Sequence, residues 1–206
     1  KLKKMNIKQA FANAAFATSA ATSASLPADE GIEIAFAGRS NAGKSSTINT
    51  LCGQKQLARA SKTPGRTQLI NFFTLSPQAM LVDLPGYGYA KASQAKQRQW
   101  IELLEYYFSY RKALRGTVIV MDIRHPLQAA DQNMIDWCLH HQSEVHILLN
   151  KADKLSRNRA MQQLHLTQKK LETERVTDVS VQLFSASSGS GSDECYKKLS
   201  RWLGAT

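Results

Sequence analysis

The run Gly38-Arg39-Ser40-Asn41-Ala42-Gly43-Lys44-Ser45 satisfies the pattern GxxxxGK(S/T) at every fixed position. Each fixed residue suits the grip of a polyphosphate. The glycines let the backbone turn tightly, so that successive N–H groups point at phosphate oxygens. A helix opening behind the loop, with Ser46 in its first turn, adds the positive end of its dipole. Lys44 is expected to reach the β- and γ-phosphates and to act in catalysis, and the Ser45 hydroxyl to ligate Mg²⁺. The pattern specifies a nucleoside triphosphate and is silent on the base.

Three further groups complete this chemistry. Asp83-Leu84-Pro85-Gly86 is a DxxG string, in which the carboxylate is expected to hold Mg²⁺ through water and the Gly86 N–H to contact the γ-phosphate. Between the two motifs lies Ser61-Lys62-Thr63-Pro64-Gly65-Arg66-Thr67-Gln68, with two threonines that could finish the Mg²⁺ shell. Thr67 is preferred because it directly precedes an apolar run. Asn150-Lys151-Ala152-Asp153 is suited to reading the base. A carboxylate accepts from both N1–H and the amino group of guanine, a donor pair that adenine lacks. Asn150 is expected to brace the loops and Lys151 to lay its stem along the base. Phe184-Ser185-Ala186 then offers a backbone N–H for guanine O6.

These residues need a scaffold that brings distant segments to one edge. Apolar runs at Ile32 to Ala37, Gln68 to Leu75, Ala79 to Val82, Thr117 to Ile123, Val145 to Leu149 and Val179 to Phe184 read as strands. Stretches at Lys44 to Leu51, Ser93 to Leu114, Gln128 to His141, Ser156 to Glu174 and Asp193 to Leu203 read as helices, while 52 to 66 reads as a loop. The alternation predicts an α/β fold with a mostly parallel, six-stranded sheet covered by helices on both faces. Every motif above falls at the carboxyl end of a strand, where such sheets bind ligands.

Composition sets the remaining bounds. The chain has 206 residues, 43% apolar and 21% charged, which suits one globular domain rather than a disordered segment. No apolar run approaches the roughly 18 residues a membrane helix needs, so no membrane partner is expected. Lys and Arg outnumber Asp and Glu by 27 to 16, a balance that favours a polyanionic partner. Cys52, Cys138 and Cys195 lack metal-ligand spacing and read as reduced cytosolic thiols. Residues 1 to 30 begin with three lysines among the first four residues and continue in an Ala/Ser/Thr-rich stretch. That stretch faintly resembles a targeting peptide, but Asn13, Thr18 and Ser19 interrupt it. The expectation is an N-terminal extension at 1–30 leading into a nucleotide-binding domain at 31–206.

The strings Ala37 to Ser46, Ser61 to Gln68 (SKTPGRTQ), Asp83 to Ala90 (DLPGYGYA) and Met121 to Leu127 (MDIRHPL) resemble the EngB (YihA/YsxC) family of bacterial GTPases. The resemblance runs from about Ile7 to the C-terminus. It implies a Ras-like three-layer P-loop fold and a monomeric, cytoplasmic GTP/GDP-binding protein. It also implies a role in assembling the large ribosomal subunit, with the subunit and its RNA as partner and a link to cell division and septation. By motif match, Gly65, Arg66, Thr67, Gln68 and Leu69 would line the nucleotide, with Thr67 the second Mg²⁺ ligand. This chain departs from the family's pattern after the last strand, where a basic stretch is replaced by Ser187 to Ser192.

Ras-type enzymes carry a water-orienting Gln directly after DxxG. Tyr87 stands there, so slow unaided hydrolysis is expected. Asn41 is a candidate for holding K⁺ in compensation. His125, before Pro126, reads as structural, and Arg66 and Lys91 border the switch segments. Two alternatives stay open from sequence: a P-loop ATPase or kinase, against which Asp153 argues, and an RNA-binding switch with negligible turnover.

Overall fold

A computed structural model of the chain describes residues 6–58, 69–87, 94–174 and 178–204. In chain order the strands are β1 (Ala15–Ala20), β2 (Ile32–Gly38), β3 (Ile70–Ser76), β4 (Ala79–Asp83), β5 (Leu114–Asp122), β6 (Glu144–Asn150) and β7 (Val179–Leu183). The helices are α1 (Ile7–Ala12), α2 (Lys44–Cys52), α3 (Gln94–Tyr110), α4 (Ala129–His140), α5 (Arg157–Thr173) and α6 (Ser192–Trp202). They build one sheet in the order β1-β3-β4-β2-β5-β6-β7. From β4 to β7 all neighbours run parallel, while β3 pairs antiparallel with both β4 and β1.

Among the described residues the sheet therefore has seven strands, not the six read from the sequence. The extra one is β1, an edge strand of sequence AFATSA. Its mostly small side chains, three of them alanines, show no alternation of apolar and polar residues, and its largest, Phe16, is mostly exposed. Backbone pairing to β3 holds it there, and a pattern of hydrophobicity cannot reveal that. Residues 7–20 thus belong to the packed body, with Phe11 of α1 fully buried against the α2 and α6 layer. The boundary expected at residue 30 does not separate this segment from the core.

Strand periodicity sends alternate residues into two layers. Ile34, Phe36, Val118, Val120 and Leu148 face α1, α2 and α6, whereas Ala35, Ala37, Ile119, Met121 and Ile147 face α3, α4 and α5. Because the central strands are covered on both sides, they read as continuous apolar runs. Each large side chain buried this way contributes roughly 1.5–3 kcal/mol. The three cysteines are free and buried within this core, and burial pushes their thiols up to about 12. Among the described residues, no helix is long and apolar enough to cross a membrane.

Candidate functional site

β2 ends at Gly38 and the nine-residue α2 begins at Lys44, so the glycine-rich loop joins the central strand to a helix N-terminus. Two glycines are required for different reasons. Gly43 caps α2 with φ 97°, a left-handed conformation, and a Cβ there would run into Asn150 Nδ2. At Gly38 a Cβ would stand 2.8 Å from the Val120 carbonyl oxygen of the neighbouring strand. Ala42 N–H donates to Arg39 O at 3.0 Å and Ser40 N–H to Tyr87 O at 3.2 Å. The N–H groups of Asn41, Gly43, Lys44, Ser45 and Ser46 donate to no acceptor among the described residues. The loop therefore gathers free donors at the positive end of a helix, the arrangement an anion requires.

β4 runs parallel to β2 with Asp83 opposite Phe36, which carries the carboxylate to the same edge. Asp83 and Lys44 form an ion pair with little exposure on either side. Beyond Asp83 the chain stays bound to the phosphate loop. Leu84 N–H donates to Phe36 O at 2.9 Å and Tyr87 N–H to Gly38 O at 3.3 Å. Gly86 lies so close that a Cβ would stand 3.7 Å from Gly38 O and 3.8 Å from Ser40 N. Leu84 is buried, and Pro85 follows it on the way to Gly86.

The third segment is tied to the first by side chains. β6 ends at Asn150, whose amide is almost fully buried. Asn150 Nδ2 donates to Ala42 O at 2.9 Å, and its Oδ1 accepts from Ala186 N at 3.0 Å. Lys151, at φ 65°, sends Nζ to Asn41 O at 2.7 Å and to Asp122 at 2.9 Å. Ala152 N–H donates to Phe184 O at 3.1 Å. Asp153 accepts from Ser185 Oγ at 2.6 Å, and this hydrogen bond holds its carboxyl below the usual range. Asn150 thus links the phosphate loop at Ala42 to the segment at Ala186. Of the backbone N–H groups that Phe184 to Ala186 offer, that of Phe184 donates to Leu149 O, that of Ser185 to Ser190 O and that of Ala186 to Asn150 Oδ1, whereas that of Ser187 donates to nothing among the described residues.

The stretch 187–192 folds back on itself. Gly189 N–H donates to Ser185 O at 2.8 Å and Ser185 N–H to Ser190 O at 3.0 Å. The Gln182 side chain fastens Gly191 O at 2.9 Å. Missing lysines do not leave it without order.

Four residues in this assembly carried no assignment from sequence. Asp122, the last residue of β5, holds both Lys151 and Arg124, and the hydrogen bond from Arg124 followed by that from Lys151 pulls its carboxyl far below the usual range. Its place at a strand end inside the MDIRHPL string was the available signal. Thr50 Oγ1 donates to Ala186 O at 2.7 Å, joining α2 to the base-facing loop. The Asn49 amide holds Ala58 from both sides, at 2.8 and 2.9 Å. Asp131 takes the Arg39 guanidinium, which turns aside to it and to His125 O. His125 therefore contributes a carbonyl, in keeping with a structural role. Neither Thr50 nor Asn49 has a pattern around it that sequence could expose. Thr63, Gly65, Arg66, Thr67, Gln68 and Lys91 lie outside the described residues, and Leu69 is half-buried just ahead of β3.

A family model described as "50S ribosome-binding GTPase" matches residues 33–151. The chain is 50% identical over 196 residues to a protein of Coxiella burnetii named "Probable GTP-binding protein EngB", covering 94% of each. It is 53% identical over 194 residues to a protein of the same name from Aromatoleum aromaticum, covering 94% of this chain and 89% of that one. The crystal structure of a probable GTP-binding protein EngB superposes with a TM-score of 0.65 at 22% identity, covering 84% of this chain and all of the other. At that identity the superposition shows a shared fold and nothing finer. The sequence matches over nearly the whole length go further: the chain belongs to the EngB family of GTPases.

Proposed function

We propose that this GTPase binds Mg²⁺·GTP across the loops at Gly38 to Ser46, Asp83 to Gly86 and Asn150 to Asp153, and serves as a switch in assembly of the large ribosomal subunit. The observation that carries the site is the set of unused amides around Lys44, bound through Asn150 and Lys151 to the loop bearing Asp153. Phosphates satisfy the amides, and Asp153 supplies the discrimination for guanine. Ser45 Oγ has no partner among the described residues, and Asp83 stands at the same edge, so the site offers the hard oxygen donors Mg²⁺ prefers. Ser45 would bind the ion directly, Asp83 through water, and Thr67 is the expected third contributor. When bound, Mg²⁺ would supply neutralisation of the negative charge on the phosphates.

The protein's own groups do the rest. Lys44 places a cation against the phosphates, and Phe184 to Ala186 close over the base edge. Tyr87 occupies the water-orienting position, but its hydroxyl is bonded to Asp131, so it is not available to an attacking water. Slow intrinsic hydrolysis follows, with acceleration by a partner or by K⁺ at the exposed Asn41. Equal turnover in Na⁺ and K⁺ would remove the second idea.

The ribosomal role rests on the formal net charge of +11 and on the description of the matching family. An RNA-rich partner suits that charge. Action in the cytoplasm, as a monomer, and an indirect effect on septation complete the proposal. GTP, ATP and XTP titrations test the base reading. We expect GTP to bind at least 100-fold more tightly than ATP, and Asp153→Asn to shift preference toward XTP. Tight ATP binding would end it. Co-sedimentation with ribosomal subunits in GDP and in a non-hydrolysable GTP analogue tests the partner; absence from the large subunit in both states would refute the switch.

A further inference from the structure

Asp131 stands in the first turn of α4, outside every nucleotide-binding string, and is fully buried. A carboxylate in that position is costly unless its oxygens are satisfied. Arg39 Nε approaches both of them at 3.0 Å, Tyr87 Oη donates at 2.9 Å, and Gln128 N–H donates at 3.0 Å. Two of these donors belong to different parts of the site. Arg39 is in the phosphate loop, and Tyr87 directly follows Gly86. The same two residues face each other as a parallel bridge, closed by the Tyr87 N–H to Gly38 O and Ser40 N–H to Tyr87 O hydrogen bonds. Arg39 also donates to His125 O at 2.8 Å, so its guanidinium is held by two partners.

We infer that Asp131 is a positioning residue for the third phosphate of GTP, holding Gly86 in place through Tyr87 and the facing phosphate loop through Arg39. The inference rests on the assignment of Gly86 to the γ-phosphate proposed above. Its logic is selective. GDP takes its contacts from the amides of residues 41 to 46 and from the Asn150 to Asp153 loop; Asp131 bonds to none of these and reaches the phosphate loop only at Arg39. The Gly86 N–H serves only the third phosphate. The Tyr87 backbone stays bridged to the phosphate loop without the tether, but its side chain no longer fixes the adjoining Gly86 against α4, a loss that only the triphosphate meets.

The test compares GDP with a non-hydrolysable GTP analogue by direct titration. Tyr87→Phe removes one hydroxyl and leaves Asp131 with Arg39 and the Gln128 amide, so the fold is retained. It is expected to weaken the analogue about tenfold relative to GDP, as a lost hydrogen bond to a charged group implies. Asp131→Asn should move the ratio further in the same direction; its GDP affinity and thermal midpoint report whether it folds. An unchanged ratio in Tyr87→Phe, equal weakening of both nucleotides, or a ratio shifted toward the analogue overturns the inference, whatever Asp131→Asn does. The site assignment has its own control. If Asp153→Asn leaves GTP-over-XTP preference intact, the site is wrongly placed, and that result is separable from a failed tether.

Discussion

Two buried ion pairs mark opposite ends of the parallel sheet. At the start of β2, Glu33 meets Arg111 with side-chain exposures of 1% and 5%. At its far end Lys44 meets Asp83, at 11% and 6%. The first pair is closed within the protein. Glu33 also accepts from Tyr107 Oη at 2.8 Å, and Arg111 donates to Pro27 O at 2.7 Å and Ala28 O at 3.0 Å. The second pair sits beside amides and a serine hydroxyl that bond to nothing in the described chain. Burial of charge is thus handled in two ways. One end answers it with a full internal network, and the other keeps donors in reserve for a charged ligand.

That contrast can be broken by substitution. Arg111→Ala leaves Glu33 buried without its cation and strips two carbonyls of their donor. It should cost about 3–5 kcal/mol of stability, read as a lower denaturant midpoint, with the GTP-to-ATP preference of the folded fraction unchanged. Lys44→Ala should show the reverse balance. GTP affinity should fall about 100-fold, or about 3 kcal/mol, with a smaller loss of stability than Arg111→Ala. Equal destabilisation by both would erase the distinction between the two ends.

A third polar cluster sharpens it. His146 in β6 bonds Ser180 Oγ at 2.8 Å and Gln182 Oε1 at 2.9 Å, and is largely buried. Burial is the main reason its pKa falls to about 4, with the Gln182 hydrogen bond opposing. The folded state therefore favours the neutral ring and binds fewer protons than the unfolded chain. Stability is complete above about pH 6.5 and declines as pH drops toward 4, by at most about 3.5 kcal/mol. Denaturation at a series of pH values should show this slope in the native protein and lose it in His146→Gln. A network that is closed but uncharged is thus sensitive to protons, whereas the Glu33 to Arg111 network is sensitive to truncation.

The legible and the hidden parts of this molecule divide along a physical line. Residues 38–45, 83–86 and 150–153 stand out in the sequence because the phosphate, metal and guanine proposed for them each demand particular residue types at fixed local spacing. The central parallel strands β2, β5 and β6 were readable because burial on both faces leaves nearly continuous apolar runs, whereas the edge strand β7 alternates apolar and polar residues. The seventh strand escaped because β1 is held by backbone pairing and carries small, partly polar side chains. The backbone donors of Phe184 to Ala186 are all engaged within the protein, that of Ala186 by Asn150, which is distant in sequence.

The sequence by itself therefore determined the nucleotide chemistry, the base and the layered fold, all written in short-range pattern. Only the tertiary structure decided which residues hold those loops together. Asp122 under Lys151, Thr50 on Ala186 and Asp131 between Arg39 and Tyr87 are contacts across long sequence separations. No local period encodes such contacts; they exist once the sheet has brought its strand ends to a single edge.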